Sequence, residues 1–382
     1  MEPIKGLRIL YFADGSNSVH DWRFLSKLVE SGFDVFAVYY GWWGDTCTVE
    51  GTKKFSLGYE KYYQQGNALI KFLGRLVAYM RFKNLLSKIK PDLVHAGWVP
   101  TCGFTTALSN FHPFLLMPWG SDILLVPKKS LFNRKITEFT LRKADMITCD
   151  AETVKKEIIQ LAHSPEEKIV VFPWGIDLSL FKPDISLRVN LRKRLGIEEK
   201  KVIIMNRSFK PVYGIEYFLR ALPMVWEKVP NIYVLLIGSG PLENKLRKLV
   251  DELNLELIVK FVGEVPNAEM PAYLNASDLY VSSSLSDGTS LSLLEAMACG
   301  LPVVVTDVPA ILEWVADGEN GLVVPRQSIE ELAEAIVHLL ENEDLASEMG
   351  NKNLVIAKER ADWNKNFQKL VQIYEKLLTK GS

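Results

Sequence analysis

The chain has 382 residues, 48% of them hydrophobic and 24% charged, with a formal net charge of −1. That composition is globular and leaves room for two domains, and it excludes a disordered chain. No apolar run reaches the roughly 18 residues of a membrane-spanning helix, and no nucleic-acid partner is expected.

The near-zero charge hides an asymmetry. Residues 1–190 carry 24 Lys and Arg against 19 Asp and Glu, a net of +5, and the remainder carries 21 against 27, a net of −6. A basic N-terminal half hints at where an anionic partner would sit. Cys47, Cys102, Cys149 and Cys299 are scattered without a CxxC, so they read as reduced and buried, as in a cytoplasmic protein. No clustered His or Cys spacing suggests a metal site. The opening MEPIKGLRILYFADGS lacks an apolar h-region and a cleavage site, so it reads as a first strand and not as a signal peptide.

Strand and helix patterns alternate along the chain, which implies α/β architecture with parallel sheets. Residues 7–13 form the first strand, a loop through Gly15 to His20 follows, and then a helix over about 21–31 and a strand over 35–39. The loop is no GxGxxG, so a dinucleotide site is only weakly supported. Between residues 61 and 90 stand seven cations (Lys61, Lys71, Arg75, Arg81, Lys83, Lys88, Lys90) and no acid. Apolar positions 69, 72, 73, 76, 77 and 80 have helical spacing, so this is an amphipathic basic helix. Its apolar stripe either packs into the core or meets anionic lipid headgroups.

A strand end at Leu93-Val94-His95 and a strand over 114–117 lead to the carboxyl edge of the first sheet. In the second half, strands at 202–205 and 234–237 precede polar loops. The turn Gly238-Ser239-Gly240 permits close backbone approach. The most informative stretch is 282–307, SSSLSDGTSLSLLEAMACGLPVVVTD. Ser290 or Ser292 can cap a helix carrying Leu293, Leu294 and Met297, Gly300 and Pro302 close it, and Val303-Val304-Val305 is a buried strand. The unpaired N–H groups at that helix start make an anion site suited to a diphosphate. Asp287 and Glu295 bracket it, with Glu295 roughly 7–8 Å into the helix.

This stretch resembles the donor-binding signature of glycosyltransferase family 4, an E-x7-E inside a run like EGxxLxxLEAMAxGxPVV. Here the run stands as Asp287-Gly288 to Leu294-Glu295-Ala296-Met297-Ala298-Cys299-Gly300-Leu301-Pro302-Val303-Val304, with Asp as the first acid. The segments from Ala144 to Asp150 and from Val170 to Pro183 resemble the family's inter-domain passage. The resemblance implies a GT-B fold, two Rossmann-like domains with parallel sheets facing across a cleft. The N-terminal acceptor domain would cover 1–178 and the C-terminal nucleotide-sugar domain 179–361, with a last helix over about 362–382 packed back on the first.

Carried over residue by residue, the resemblance implies that Arg207 and Lys210 meet the donor diphosphate. Lys210 would serve because Tyr213 stands where the family has its lysine. Glu295 would hold the ribose and Asp287 the sugar. Gly15, Gly238, Gly240, Val262, Gly263, Gly288, Thr289, Ser290, Leu291 and Ser292 would complete the donor site. His20, His95, Trp119, Gly120 and Asp122 are the acceptor-cleft candidates, with Asp122 among the catalytic set. Trp119 stands at the family's histidine and cannot take a proton.

The implied activity is transfer of a sugar from a nucleotide-sugar, expected to be a UDP-sugar, to a glycan or lipid-linked hydroxyl with retention and without cofactor or essential metal. The setting implied is the cytoplasm, with contact at the inner face of the membrane. The competing readings are an epimerase or phosphorylase on the same scaffold, and a donor-binding protein that has lost catalysis.

Overall fold

A computed structural model describes residues 6–15, 19–41, 49–64 and 67–379. Cys47, the 16–18 part of the first loop, the residues ahead of Gly6 and the tail of the last expected helix lie outside them. The described chain divides into two compact units, residues 1–172 with 367–382, and residues 173–366. Among the described residues no helix is long and apolar enough to cross a membrane.

The first unit holds a seven-stranded sheet built from β1 (Arg8–Gly15), β2 (Asp34–Gly41), β3 (Lys53–Ser56), β4 (Leu93–Gly97), β5 (Phe114–Met117), β6 (Met146–Cys149) and β7 (Ile169–Val171). The order across the sheet is β3-β2-β1-β4-β5-β6-β7, and every pairing is parallel. A parallel sheet needs a crossover between neighbours, so helices cover its faces and its strands are apolar on both sides. Ile9 through Ala13 are accordingly buried without a break.

The helix Ala68–Ile89 buries Gly74, Ala78, Phe82 and Ile89 against this unit, with the Phe82 ring 4.6 Å from that of Phe12. Of the two readings of the stripe, packing into the core does not hold for residues 69, 72, 73, 76 and 80, because all five are exposed. The contact is made instead by Gly74, Ala78, Phe82 and Ile89 on the other side of the helix. A Cβ at Gly74 would collide with Tyr62, so this glycine lets the helix lie close.

The second unit holds six parallel strands, β8 (Lys201–Asn206), β9 (Ile232–Ile237), β10 (Val259–Gly263), β11 (Leu279–Ser282), β12 (Val303–Thr306) and β13 (Leu322–Val324), in the order β10-β9-β8-β11-β12-β13. Successive side chains point to opposite faces. Ile203, Met205 and Val304 thus enter one apolar cluster while Val202, Ile204, Val303 and Val305 enter another. Leu293, Leu294 and Met297 of the helix Leu291–Ala298 belong to the second cluster, which anchors that helix with its start at the sheet's carboxyl edge.

Candidate active site

In an open parallel sheet, ligands bind past the carboxyl ends of the strands where the strand order reverses. In the second unit that point lies between β8 and β11. β8 runs into the loop 207–214 and β11 into the loop 283–290. The two loops are stitched together. The Leu285 N–H donates to the Val212 carbonyl at 2.8 Å, and the Ser283 hydroxyl donates to the Gly214 carbonyl at 2.9 Å. Gly214 has φ of 57°, and a Cβ there would collide with the Ser283 carbonyl, so glycine is what lets the loops meet.

Arg207 is the centre of the site. Its side chain is 8% exposed, and its Nη1 donates to Ser290 Oγ at 2.6 Å and Ser292 Oγ at 3.0 Å. Its Nη2 pairs with the Asp287 carboxylate. The Tyr213 ring lies under the guanidinium, with Cζ 3.9 Å from the ring centroid. Burial works most strongly against the Arg207 charge, but Asp287 together with Tyr213 and Tyr280 holds the arginine above its usual pKa. Burial pushes the Asp287 carboxyl up while Arg207 pulls it down. Arg207 Nε is buried with no hydrogen-bond partner among the described residues.

Ser290 is also the cap of the helix Leu291–Ala298, its hydroxyl accepting from the Leu293 N–H at 3.4 Å. A guanidinium and the positive end of a helix therefore converge on one spot, and neither is favourable beside the other without an anion. Asp287 supplies one.

The remaining donor-site candidates lie along the same edge of the sheet. Glu295 is partly buried a turn further along the helix. Its charge, after burial, helps push the Cys299 thiol up to about 12. Lys210 is exposed. Gly288 and Thr289 are buried, and Leu291, Ser292 and Val262 are partly buried. The turn through Gly238 and Gly240 packs on the Arg207 loop itself. The Phe209 N–H donates to the Ser239 carbonyl at 2.7 Å, and a Cβ at Gly238 would run into the Arg207 carbonyl. Gly263 accepts from the Gly238 N–H at 2.9 Å, and the space its Cβ would take is open.

Two residues join the site that the sequence did not mark for it. Tyr213 reads in the sequence as a missing cation, and in the structure it supports the cation that is present. Tyr280 lies within β11, fully buried, with its hydroxyl 3.0 Å from Ser292 Oγ. Nothing distinguishes it in the sequence from any other buried strand aromatic.

In the first unit the order reverses between β1 and β4. Gly15 ends β1 there, beside Asp14, whose carboxylate accepts from the Thr101 hydroxyl at 2.6 Å. Trp119 is half-buried, its ring centroid 5.6 Å from that of His20, and it packs so tightly on Gly97 that a Cβ there would lie 2.6 Å from Trp119 Nε1.

Two expectations are corrected. His95 does not line a cleft, for it is fully buried with Nδ1 2.6 Å from the Tyr374 hydroxyl. Burial lowers its pKa to about 3, so it is neutral at ordinary pH. Asp122 is also fully buried. Its two oxygens accept from the Val99 N–H at 2.9 Å and the Trp119 N–H at 2.8 Å, so it fastens two loops instead of presenting a carboxylate. Burial pushes its carboxyl up to about 6, against the pull of those N–H groups. Gly120, between them, is buried with φ of 86°.

Residues 188–353 match the model of the glycosyl transferases group 1, and residues 8–151 match the model of the glycosyl transferase 4-like family. Among curated relatives, a GDP-mannose-dependent phosphatidylinositol monomannoside mannosyltransferase of Mycolicibacterium smegmatis is 27% identical over 60% of this chain and 62% of its own length. A phosphatidyl-myo-inositol mannosyltransferase of Mycobacterium leprae is 33% identical over 50% of this chain and 49% of its own. The chain thus spans about half to three-fifths of these relatives. Among solved structures, HepE of Anabaena in complex with UDP superposes with a TM-score of 0.80 at 21% identity, covering 97% of this chain and 100% of that one. WaaG, a glycosyltransferase of lipopolysaccharide biosynthesis, superposes with a TM-score of 0.77 at 17% identity over 96% and 99%. With family models matched in both units and this fold throughout, the chain belongs to the group 1 glycosyltransferases, family 4, and has their GT-B fold.

Proposed function

We propose that the protein transfers a sugar from a nucleoside-diphosphate sugar to a hydroxyl on a glycan or lipid-linked acceptor, with retention at the anomeric carbon. The observation that carries this reading is Arg207, held over the start of the helix Leu291–Ala298 by Ser290 and Ser292. Such a cation and helix end favour a dianionic diphosphate more than any neutral ligand. The pairing of Arg207 with Asp287 adds a step to the scheme. The incoming diphosphate takes over the guanidinium, which frees Asp287 to turn to the donor sugar.

As the bond from the anomeric carbon to phosphate breaks, negative charge grows on the departing diphosphate, and Arg207, the helix start and the exposed head of Lys210 stabilise it. The acceptor oxygen bonds to the anomeric carbon on the face the phosphate leaves. Its proton passes to the leaving phosphate oxygen, and the products are glycoside and nucleoside diphosphate. Asp122 is left out of this scheme because its oxygens are buried and engaged. Glu295, a turn into the helix, takes the ribose hydroxyls.

The sequence expectation of UDP stands beside relatives named for GDP-mannose and a neighbour solved with UDP. The base is therefore a matter for assay. Thermal melts with UDP, GDP, ADP and CMP sugars on wild type and Glu295→Ala test the reading. We expect one nucleotide class to raise the wild-type melting temperature, with the rise lost in the variant. An equal rise in both would remove Glu295 from the donor site, and no rise with any donor would sink the reading.

A further inference from the structure

The helix Ala68–Ile89 presents its apolar stripe outward. Leu69 (64% exposed), Phe72 (64%), Leu73, Leu76 and Met80 (60%) are all open to solvent. At 100° per residue these five fall within about a 100° arc. The buried residues Gly74, Ala78 and Phe82 lie on the opposite side. The helix is thus held to the first unit by one apolar face and offers a second one to the outside. A contiguous exposed apolar stripe is unusual on a solvated surface and marks something that covers it.

The occupant is indicated by charge. Seven Lys and Arg lie between residues 61 and 90 without one Asp or Glu. Arg75 is exposed on one flank of the stripe, and Lys83 is exposed in line with it, one turn beyond Met80. A second copy of this chain would bring the same cations face to face, which is repulsive. An anionic bilayer supplies both halves of the match, acyl chains for the stripe and headgroups for the cations.

We propose that this helix lies in the headgroup plane of an anionic membrane, with Leu69, Phe72, Leu73, Leu76 and Met80 inserted and Arg75 and Lys83 on phosphate. The contact stands apart from the transfer reaction, since it uses none of the residues around Arg207.

The test is flotation of the full chain with phosphatidylcholine vesicles, with and without phosphatidylglycerol, at low and high salt. We expect wild type to float with the anionic vesicles and to be released from the neutral ones. Phe72→Ser with Leu76→Ser should weaken binding about ten-fold or more, and Arg75→Gln with Lys83→Gln should remove much of the preference for phosphatidylglycerol. Both pairs lie on the surface, and unchanged thermal melts with and without donor confirm that fold and donor site are intact. Equal flotation with both vesicles, no flotation at all, or a dimer in sedimentation that Phe72→Ser with Leu76→Ser dissolves would overturn the proposal. A protein that floats but shows no donor-induced shift would keep the membrane contact and lose the transfer reading instead.

Discussion

Arg207 shows how one substitution can be read two ways. A tyrosine at position 213 in place of a lysine looks in the sequence like a lost charge. In the structure its ring lies 3.9 Å from the guanidinium carbon and supports the charge that remains. A desolvated cation over an aromatic face gains on the order of 1–2 kcal/mol. Tyr213→Ala should therefore lower turnover about ten-fold, while Tyr213→Phe stays near wild type; equal rates for all three proteins would show the ring to be incidental. Arg207→Ala should cost about a hundred- to a thousand-fold in turnover. Arg207→Lys should recover only part of this, because a lysine cannot fork between two serines and a carboxylate. Initial rates of donor turnover check both. Asp287 and Ser290 were legible from their place at the start of a helix, and Arg207 through the family resemblance. The sequence could not show that Arg207 and Asp287 pair with each other, since that depends on where two loops 80 residues apart meet.

At the scale of elements, strands were more legible than the burial of polar side chains. The strand at 114–117 and the short helix after Ser290 fall where apolar runs and stop signals put them. His95 sits at a strand's carboxyl end, where ligands commonly bind, yet the helix Trp363–Thr379 covers it through Tyr374. No local pattern could foretell a partner 279 residues away.

The pair has a pH signature. The unfolded chain protonates His95 near 6.5, and the folded chain resists until about 3. Stability therefore falls as pH drops through that window, by an amount on the order of a few kcal/mol. Asp122, raised from 3.8 to about 6, works the other way, holding its proton more tightly when folded and gaining stability as pH falls through that range. Melting wild type and His95→Gln between pH 7 and 4 separates the two. We expect the acid loss to be shallower in the variant, and parallel curves would assign the slope elsewhere.

For the whole molecule, the βαβ alternation made two parallel sheets legible, and Gly and Pro near 173–184 marked where one gives way to the other. The return of the final stretch of chain to the first unit was carried by the family resemblance and not by any local pattern, and the structure places residues 367–382 in that unit. Phe367, Leu370, Ile373, Tyr374 and Leu377 are all buried. Burying these five side chains stabilises by roughly 10 kcal/mol, comparable to the whole stability of a typical domain. A chain ending at Asp362 should therefore lose the cooperative melting of its first unit while the second still melts as a unit. Two retained transitions would contradict that.

The same return also separates the order of covalent links from the order of folding units. The backbone passes between the units once after Phe172 and again after Asn366. A protease cut at the first passage would yield a fragment that keeps the second unit whole and still carries the helix that completes the first. Cleavage there should leave the halves bound to one another by that helix, as in a split protein that reassembles. The first unit could then be supplied in trans, as residues 1–172, to a chain beginning at Pro173.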